Sequence, residues 1–568
     1  MGSAVEGVKT ASRQLRGTLA TELASDSTEF SGEATTLLKF HGSYQQDDRD
    51  RRRALTAKRQ PLAYSCMVRT SLPGGVLTAD QWLAADDLAG AVADGTLRIT
   101  TRQDLQFHFV HKGDLHALIH TLNEHLVTTL AACGDVVRNV MCCPADVPGR
   151  DQTTVLAAAQ ALSARFKPQG AAYYELWVDG ERAVTAEVPE GVLDDAEPLY
   201  GDAYLPRKFK IGFAFPGDNC VDVYTNDVGV VPIERDGEAG YVVLIGGGLG
   251  QAHAREDDTY PRLASPLLWT TDADLAAVVE AIITIHRDFG NRDDRHRARL
   301  KYVVDERGLD WCRAEVERRV GHPLADPVEL PPWLDSADHL GWWEDAHGVW
   351  VLGVPVPSGR VRGRQRDALR RVVETWRPEI RLTPRQDVLL TGFAVGDRDA
   401  VDAVLAGYGV APADSLRPVE RHAMACPALP TCGQALAEAE RVLPRIVDDI
   451  HDVLDAVELG DLPLRVNVTG CPNGCARPYT SEVGIVGRTK STYDLYVGGT
   501  VGGDRLNRRI AIGATLEEVP KLLAPLVEQY RVEARPGEGF GDFAHRAIPV
   551  DAPVWIAPPR RRRSGEAD

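Results

Sequence analysis

Four of the ten cysteines sit in loops poorly suited to ordinary core packing. The stretch TGCPNGCARPY carries Cys471 and Cys475 on a path punctuated by Pro472 and Gly474, and MACPALPTCGQ carries Cys426 and Cys432. Pro and Gly impose sharp backbone paths, and thiolates held on such paths bind metal or exchange electrons. The pattern is C-x5-C and then C-x3-C, with no histidine in either loop. Zinc pairs its ligands as C-x2-C to C-x4-C and often recruits histidine, and the first spacing here is too long, so four thiolates of this kind fit a cubane iron-sulfur cluster better. The bland alternative is four buried thiols packed as small hydrophobes, against which the Pro/Gly-rich loops argue.

The flanking sequence supplies the elements that would aim these sulfurs. After Cys432, residues Leu436, Val442, Leu443, Ile446, Ile450, Val453 and Leu454 recur at helical spacing, and LRVNVTG alternates as a strand into Cys471. At 568 residues the chain exceeds one hydrophobic core, so several domains are expected. A net charge of -18 argues against a general nucleic-acid binder. The longest apolar runs fall short of the ~18 to 20 residues of a membrane span. The N-terminus lacks a charged head followed by an apolar block, which points to a reducing, cytoplasmic setting where disulfides are a poor use of cysteine.

The chain also repeats itself. LRITTRQDLQFHFV from Leu97 matches IRLTPRQDVLLTGF from Ile380 at an offset of 283, and the same offset carries RNVMCCPA at Arg138 onto RHAMACPA at Arg421. With insertions, LPRKFKI at Leu205 meets LPLRVNV at Leu462, YTNDVGVV at Tyr224 meets YTSEVGIV at Tyr479, and IGGGLG at Ile245 faces VGGTVGG at Val497. A period near half the chain implies duplication. The halves differ in chemistry: the C-terminal one has all four loop sulfurs, while Arg69, Arg102, Arg138, Lys208 and Lys210 lie at or near the matching motifs of the N-terminal one. Single arginines commonly end in salt bridges, but clustered cations mark anion sites. The glycine stretches are too generic for a phosphate cradle and read as close-packing turns.

Taken in order, FHGSYQQDDRD, LPGGVLT, TTRQDLQFH, RNVMCCP, YLPRKFK, GGG, ACPALPTC, TGCPNGCARP and GEGFGDFAHRA resemble the siroheme-containing sulfite and nitrite reductases over nearly the whole chain, most of all the assimilatory sulfite reductase hemoproteins. The resemblance implies that Cys426, Cys432, Cys471 and Cys475 bind a 4Fe-4S cluster, with Cys475 also the proximal ligand of siroheme iron. It implies an anion pocket of Arg69, Arg138, Lys208 and Lys210, in which arginine clamps sulfite and lysine delivers protons. Siroheme is an octacarboxylate, and Arg102, Gln106, His108, Arg207, Lys301 and Asn473 are its expected rim donors; for His108 the alternative is an ordinary core histidine.

The implied fold is an α/β (α+β) duplication, two pseudo-twofold halves each with a ferredoxin-like mixed-sheet module and a larger cofactor-facing module. The expected divisions are an extension 1–54, a half-domain 55–126, a siroheme and substrate domain 127–330, a second half-domain 341–407, a cluster domain 408–550 and a flexible tail 551–568. The expected reaction is the six-electron reduction of sulfite to sulfide. Nitrite reduction is the rival, disfavoured because nitrite enzymes tend to have asparagine at the Lys210 position, and a non-catalytic iron-sulfur relay would need no anion pocket. No flavin module and no GxGxxG after a strand is found, so an electron-donor protein is required, either an NADPH-dependent flavoprotein or a ferredoxin. The Arg560–Arg563 run reads as a solvated tail, with ferredoxin docking as the alternative.

Overall fold

A computed structural model describes residues 2–178, 197–333 and 338–557, so the Arg560–Arg563 run lies outside the described residues. The chain forms two compact units. One comprises Met1–Leu416 with Pro430–Gly433, the other Arg417–Leu429 with Gln434–Asp568.

The repeated T-x-R-Q-D segment folds the same way twice within the first unit. Thr100 Oγ1 accepts from the backbone N–H groups of Arg102 and Asp104 at 3.1 and 3.2 Å. Thr383 Oγ1 accepts from those of Arg385 and Asp387 at 3.2 and 2.9 Å. Gln103 and Gln386 take left-handed φ values of 58° and 78°. Asp104 Oδ1 then accepts from Leu72 N at 3.3 Å, and Asp387 Oδ1 from Val356 N at 2.8 Å. Short polar side chains bonding nearby backbone are what close such turns, so the motif is a backbone device before it is anything else.

Each copy of this turn belongs to a five-stranded antiparallel sheet. The first runs Ser43–Asp47, Tyr64–Arg69, Leu105–Val110, Leu97–Ile99 and Arg360–Val361; the second runs Gly341–Glu344, Trp350–Val354, Val388–Phe393, Glu379–Leu382 and Val76–Leu77. The two sheets exchange edge strands. Arg360 pairs with Arg98, and Val76 with Arg381. The exchange depends on glycine: a Cβ on Gly75 (φ 74°) would lie 2.7 Å from Leu382 O, and one on Gly359 (φ 71°) 2.3 Å from Ile99 O. Gln103 Nε2 seals the crossing by donating to Gly74 O at 3.0 Å and Leu382 O at 2.8 Å. Asp86, buried on the Ala79–Val92 helix, accepts from Arg366 and Arg370 of the Gly363–Trp376 helix at 2.5 and 2.7 Å.

A larger sheet completes the first unit: Met141–Cys142, Ile211–Phe213 and Val228–Pro232 are parallel, and Tyr241–Ile245 and Ser265–Thr270 follow antiparallel. The second unit repeats this pattern with Met424–Ala425, Val466–Thr469, Val483–Thr489, Thr492–Val497 and Arg508–Ala514, adding Trp555–Ile556 at the edge. The pairing corrects one alignment drawn from sequence. Ile211 pairs with Val228 as Val466 pairs with Val483, so Lys210 corresponds to Arg465, two residues away from the Leu205/Leu462 match. Hydrogen bonds agree: Asp227 accepts from Lys210 N at 2.8 Å as Glu482 accepts from Arg465 N at 3.1 Å. The glycine stretches are close-packing turns. A Cβ on Gly247 would lie 2.2 Å from Tyr224 O, and one on Gly499 2.3 Å from Thr480 O.

The helix after Cys432 is shorter than its periodicity suggests. It spans Leu443–Asp455, with a proline in its first turn and Leu443, Ile446, Val447, Ile450 and Leu454 buried. Leu436 and Ala437 instead donate their N–H groups to Gly470 O. Among the described residues, no helix is long and apolar enough to cross a membrane.

Candidate functional site

In the first unit the cations of the duplicated motifs cluster around a few acids. Arg69 ends its strand and pairs in register with Gln106, whose carboxamide oxygen, turned toward it, accepts from Arg69 Nε at 3.2 Å. Arg138 donates through Nε to Gly134 O at 2.8 Å and through Nη1 to Ala132 O at 3.3 Å. Arg102 is buried. It spends Nη1 on Asn226 Oδ1 at 2.9 Å and Nη2 on the Asn139 and Ile211 carbonyls at 2.5 and 3.0 Å, while Nε has no partner. Burial pulls its pKa down to about 9 against the pull of Asp104, though a guanidinium keeps its proton there. Asp104 feels Arg69, Arg102 and Arg138 together, and Tyr44 feels Arg138 and Arg69.

Lys208 and Lys210 flank Phe209, which is fully buried and bridges to Val137. Side chains two apart on an extended segment share a face, so both lysines lie on the face opposite Phe209. Arg138 N donates to Phe209 O at 2.8 Å, which fixes the arginine segment beside the lysine segment. Asp227 anchors it all: it accepts from Lys210 N at 2.8 Å and from Arg299 at 3.1 and 2.8 Å. Asn226, which accepts from Arg102, and Asp227 are anchors that sequence reasoning left without a role, although the YTNDVGVV repeat marked the place.

Arg207 lies 3.9 Å from Asp135, a buried carboxylate that also meets Arg295 at 2.7 Å and Lys9 at 3.7 Å. His108 is buried, and neither ring nitrogen has a hydrogen-bond partner. Burial, reinforced by Arg360, Arg98 and Arg69, holds its pKa well below the ordinary value, so the ring is neutral. Lys301 has its donors engaged by backbone. Its ammonium donates to Gly248 O at 3.1 Å, Gly250 O at 3.0 Å and Tyr260 O, so it pins the glycine loop; burial pulls its pKa down to about 7.

In the second unit, Cys426 follows its strand directly and donates N–H to Val468 O at 3.2 Å. Its Sγ accepts from Gly470 N at 3.3 Å, and Asn473 Nδ2 approaches Cys471 Sγ at 3.5 Å. A Cβ on Gly470 would lie 2.6 Å from Ala428 Cβ and 2.7 Å from Ala437 O, so the two loops pack backbone to backbone. Gly474 and Arg477 take positive φ values of 64° and 57°, and Tyr479 OH donates to Pro472 O at 3.2 Å. Cys426 and Cys471 are buried, and Cys475 is exposed at the loop. Cys432 falls in the Pro430–Gly433 segment of the first unit, where Arg49 donates to its carbonyl at 3.3 Å. No two of the ten cysteines form a disulfide.

Residues 157–324 and 419–547 match the family described as Nitrite and sulphite reductase 4Fe-4S domain, and residues 58–125 and 344–408 match Nitrite/Sulfite reductase ferredoxin-like half domain. The chain is 44% identical over 558 residues to the sulfite reductase (NADPH) hemoprotein beta-component of Myxococcus xanthus (strain DK1622), covering 97% of this chain and 98% of that one. It is 42% identical over 560 residues to the protein of the same description from Xylella fastidiosa (strain M23), covering 97% of each. The solved Mycobacterium tuberculosis NirA protein shares the fold with a TM-score of 0.79 over 96% of both chains, at 23% identity.

Proposed function

Because the chain belongs to the nitrite and sulphite reductase family, we propose that it is the hemoprotein component of an assimilatory sulfite reductase, reducing sulfite to sulfide by six electrons. Its cofactors are siroheme and a 4Fe-4S cluster. The sulfur-only donor set fits the cluster, and the Gly470 N–H aimed at Cys426 Sγ is the kind of hydrogen bond that cluster sulfurs accept. Cys426, Cys432, Cys471 and Cys475 would hold it, with the exposed Cys475 also serving siroheme iron. The single N–H of the neutral His108 ring and Arg102 Nε fit a carboxylate-rich macrocycle, since buried donors without partners call for acceptors. Gln106, Arg207 and Asn473 complete the rim, and Lys301 contributes by holding the glycine loop. When bound, these groups supply low-potential electrons.

The chain's own residues supply charge and protons. The observation that carries the sulfite reading is the Lys208–Lys210 segment lying beside Arg138, whose N–H donates to Phe209 O at 2.8 Å. Arginine remains charged and clamps the dianion, while lysine can release a proton as each oxygen leaves as water. Electrons come from NADPH, which the relatives' name prints, by way of a flavoprotein partner; a ferredoxin is the alternative donor. We place the protein in the cytoplasm, where reduced pyridine nucleotide is available.

The test is kcat/KM for sulfite and for nitrite with a reduced viologen as donor, so that no protein partner limits the rate. Sulfide formation with a higher kcat/KM for sulfite is expected. A markedly higher value for nitrite would overturn the sulfite assignment and leave the cofactor assignment standing.

A further inference from the structure

The first unit contains a buried sulfur site outside the pocket described above. Cys143, Asp218, Cys220 and His339 each present one ligand atom, all within 4.8 Å of one another, and all four residues are buried. Cys143 Sγ lies 3.3 Å from Asp218 Oδ2 and 3.8 Å from His339 Nε2, and that nitrogen lies 3.2 Å from Asp218 Oδ2. Tetrahedral ligands at zinc bond lengths of about 2.0 to 2.3 Å stand about 3.3 to 3.8 Å apart. We propose that Cys143, Asp218, Cys220 and His339 bind one zinc ion.

The duplication gives an independent argument. Cys143 N donates to Phe213 O as Cys426 N donates to Val468 O. The strand pairs Ile211↔Val228 and Val466↔Val483 hold one register through the intervening loop. In that register Cys220 corresponds to Cys475 and Asp218 to Asn473, and Asp222 and Arg477, also equivalent, share positive φ values of 49° and 57°. The N-terminal half therefore keeps thiols at two of the four loop-cysteine positions. Pro216 and Gly149 occupy the positions matching Cys471 and Cys432. A four-sulfur cluster is thereby excluded from this half, while Asp218 and His339 restore a set of four donors suited to zinc. This equivalence rests on hydrogen-bonded register and holds whatever the second unit binds.

Charge points the same way. Arg150, outside the ligand set, donates to Asp218 Oδ2 at 2.8 Å, and the backbone N–H of Cys220 donates to Asp218 Oδ1 at 3.1 Å, so the carboxylate is oriented from both sides. Once binding displaces the thiol protons and leaves His339 neutral, two thiolates and a carboxylate beside one guanidinium would carry two negative charges, which a divalent cation neutralises. His339 is delivered with a left-handed φ of 58°, the kind of backbone outlier that clusters at ligand sites.

Zinc and iron should be quantified together in holoenzyme purified from zinc-supplemented cells, with zinc K-edge absorption on the same sample. About one zinc per chain is expected, with sulfur scatterers at about 2.3 Å. C143S/C220S should lose the zinc and keep the siroheme and cluster absorption, and His339→Ala should lose zinc to a chelator that leaves the wild type loaded. Zinc-free protein with full iron, zinc with only nitrogen and oxygen neighbours, or a Cys143–Cys220 disulfide in non-reducing peptide maps would overturn the site. The wild-type measurements decide the matter even where a variant fails to fold.

Discussion

At the scale of single residues, cations that would serve an anion and cations that serve the fold lie close together. Lys210 has its backbone held by Asp227 and shares a face with Lys208. Lys210→Asn keeps a donor but removes charge and an acid. Sulfite turnover with an artificial donor is expected to fall by about tenfold or more, with nitrite, a monoanion, losing less and both cofactor spectra intact. Equal losses would reassign the lysine to a general structural role. Asp135 tests the opposite case, a carboxylate whose work is structural. Burial raises its pKa, but Arg295, Arg207 and Lys9 together prevail and hold it below the ordinary value. Such a group stabilises the fold above its unfolded pKa of about 3.9, and the contribution is lost as pH falls through the lower folded value. Asp135→Asn is therefore expected to cost about 3 kcal/mol at pH 7. The gap between variant and wild type in denaturant melts should narrow progressively as pH falls below about 4; a gap independent of pH would contradict this reading.

At the scale of elements, the strand exchange between the two ferredoxin-like sheets is the least forgiving feature. Gly359→Ala places a Cβ against Ile99 O, whereas Gly409→Ala, at φ 75°, meets nothing within 4 Å. The second change is expected to cost only the left-handed penalty of about 1 to 2 kcal/mol, and thermal melts should show the first costing clearly more. Equal costs would mean that the crossing yields easily. This scale also shows what the sequence could reveal. The T-x-R-Q-D segments were legible as a repeat but not as turns, since the backbone demand each residue answers shows only in the fold, and the strand into Cys471 was legible from alternation. The exchanged strands Val76–Leu77 and Arg360–Val361 were not, since two residues have no period. The start of the helix at Leu443 was obscured because apolar residues that pack in turns mimic helical spacing. Lys301 reads as an anion ligand until its acceptors, three backbone carbonyls, are seen. Cys220 and His339 were invisible as a pair because fold, not spacing, joins them.

At the scale of the whole molecule, one duplicated plan has diverged into a half rich in cations and a half with the cluster loops. That division was readable because the two copies could be compared with each other; their exact register was not, and hydrogen bonding was needed to move Lys210 onto Arg465. The central claim is that four thiolates unite a siroheme and a 4Fe-4S cluster in this chain. Cys475→Ser is expected to lose both groups, and Cys432→Ser to lose part of the cluster. The most direct measurement is the visible absorption of anaerobically purified protein, with siroheme, iron and acid-labile sulfide quantified on the same sample. Siroheme and a 4Fe-4S cluster are expected in equal amounts. A colourless protein, or one whose only metal is zinc, would contradict the central claim.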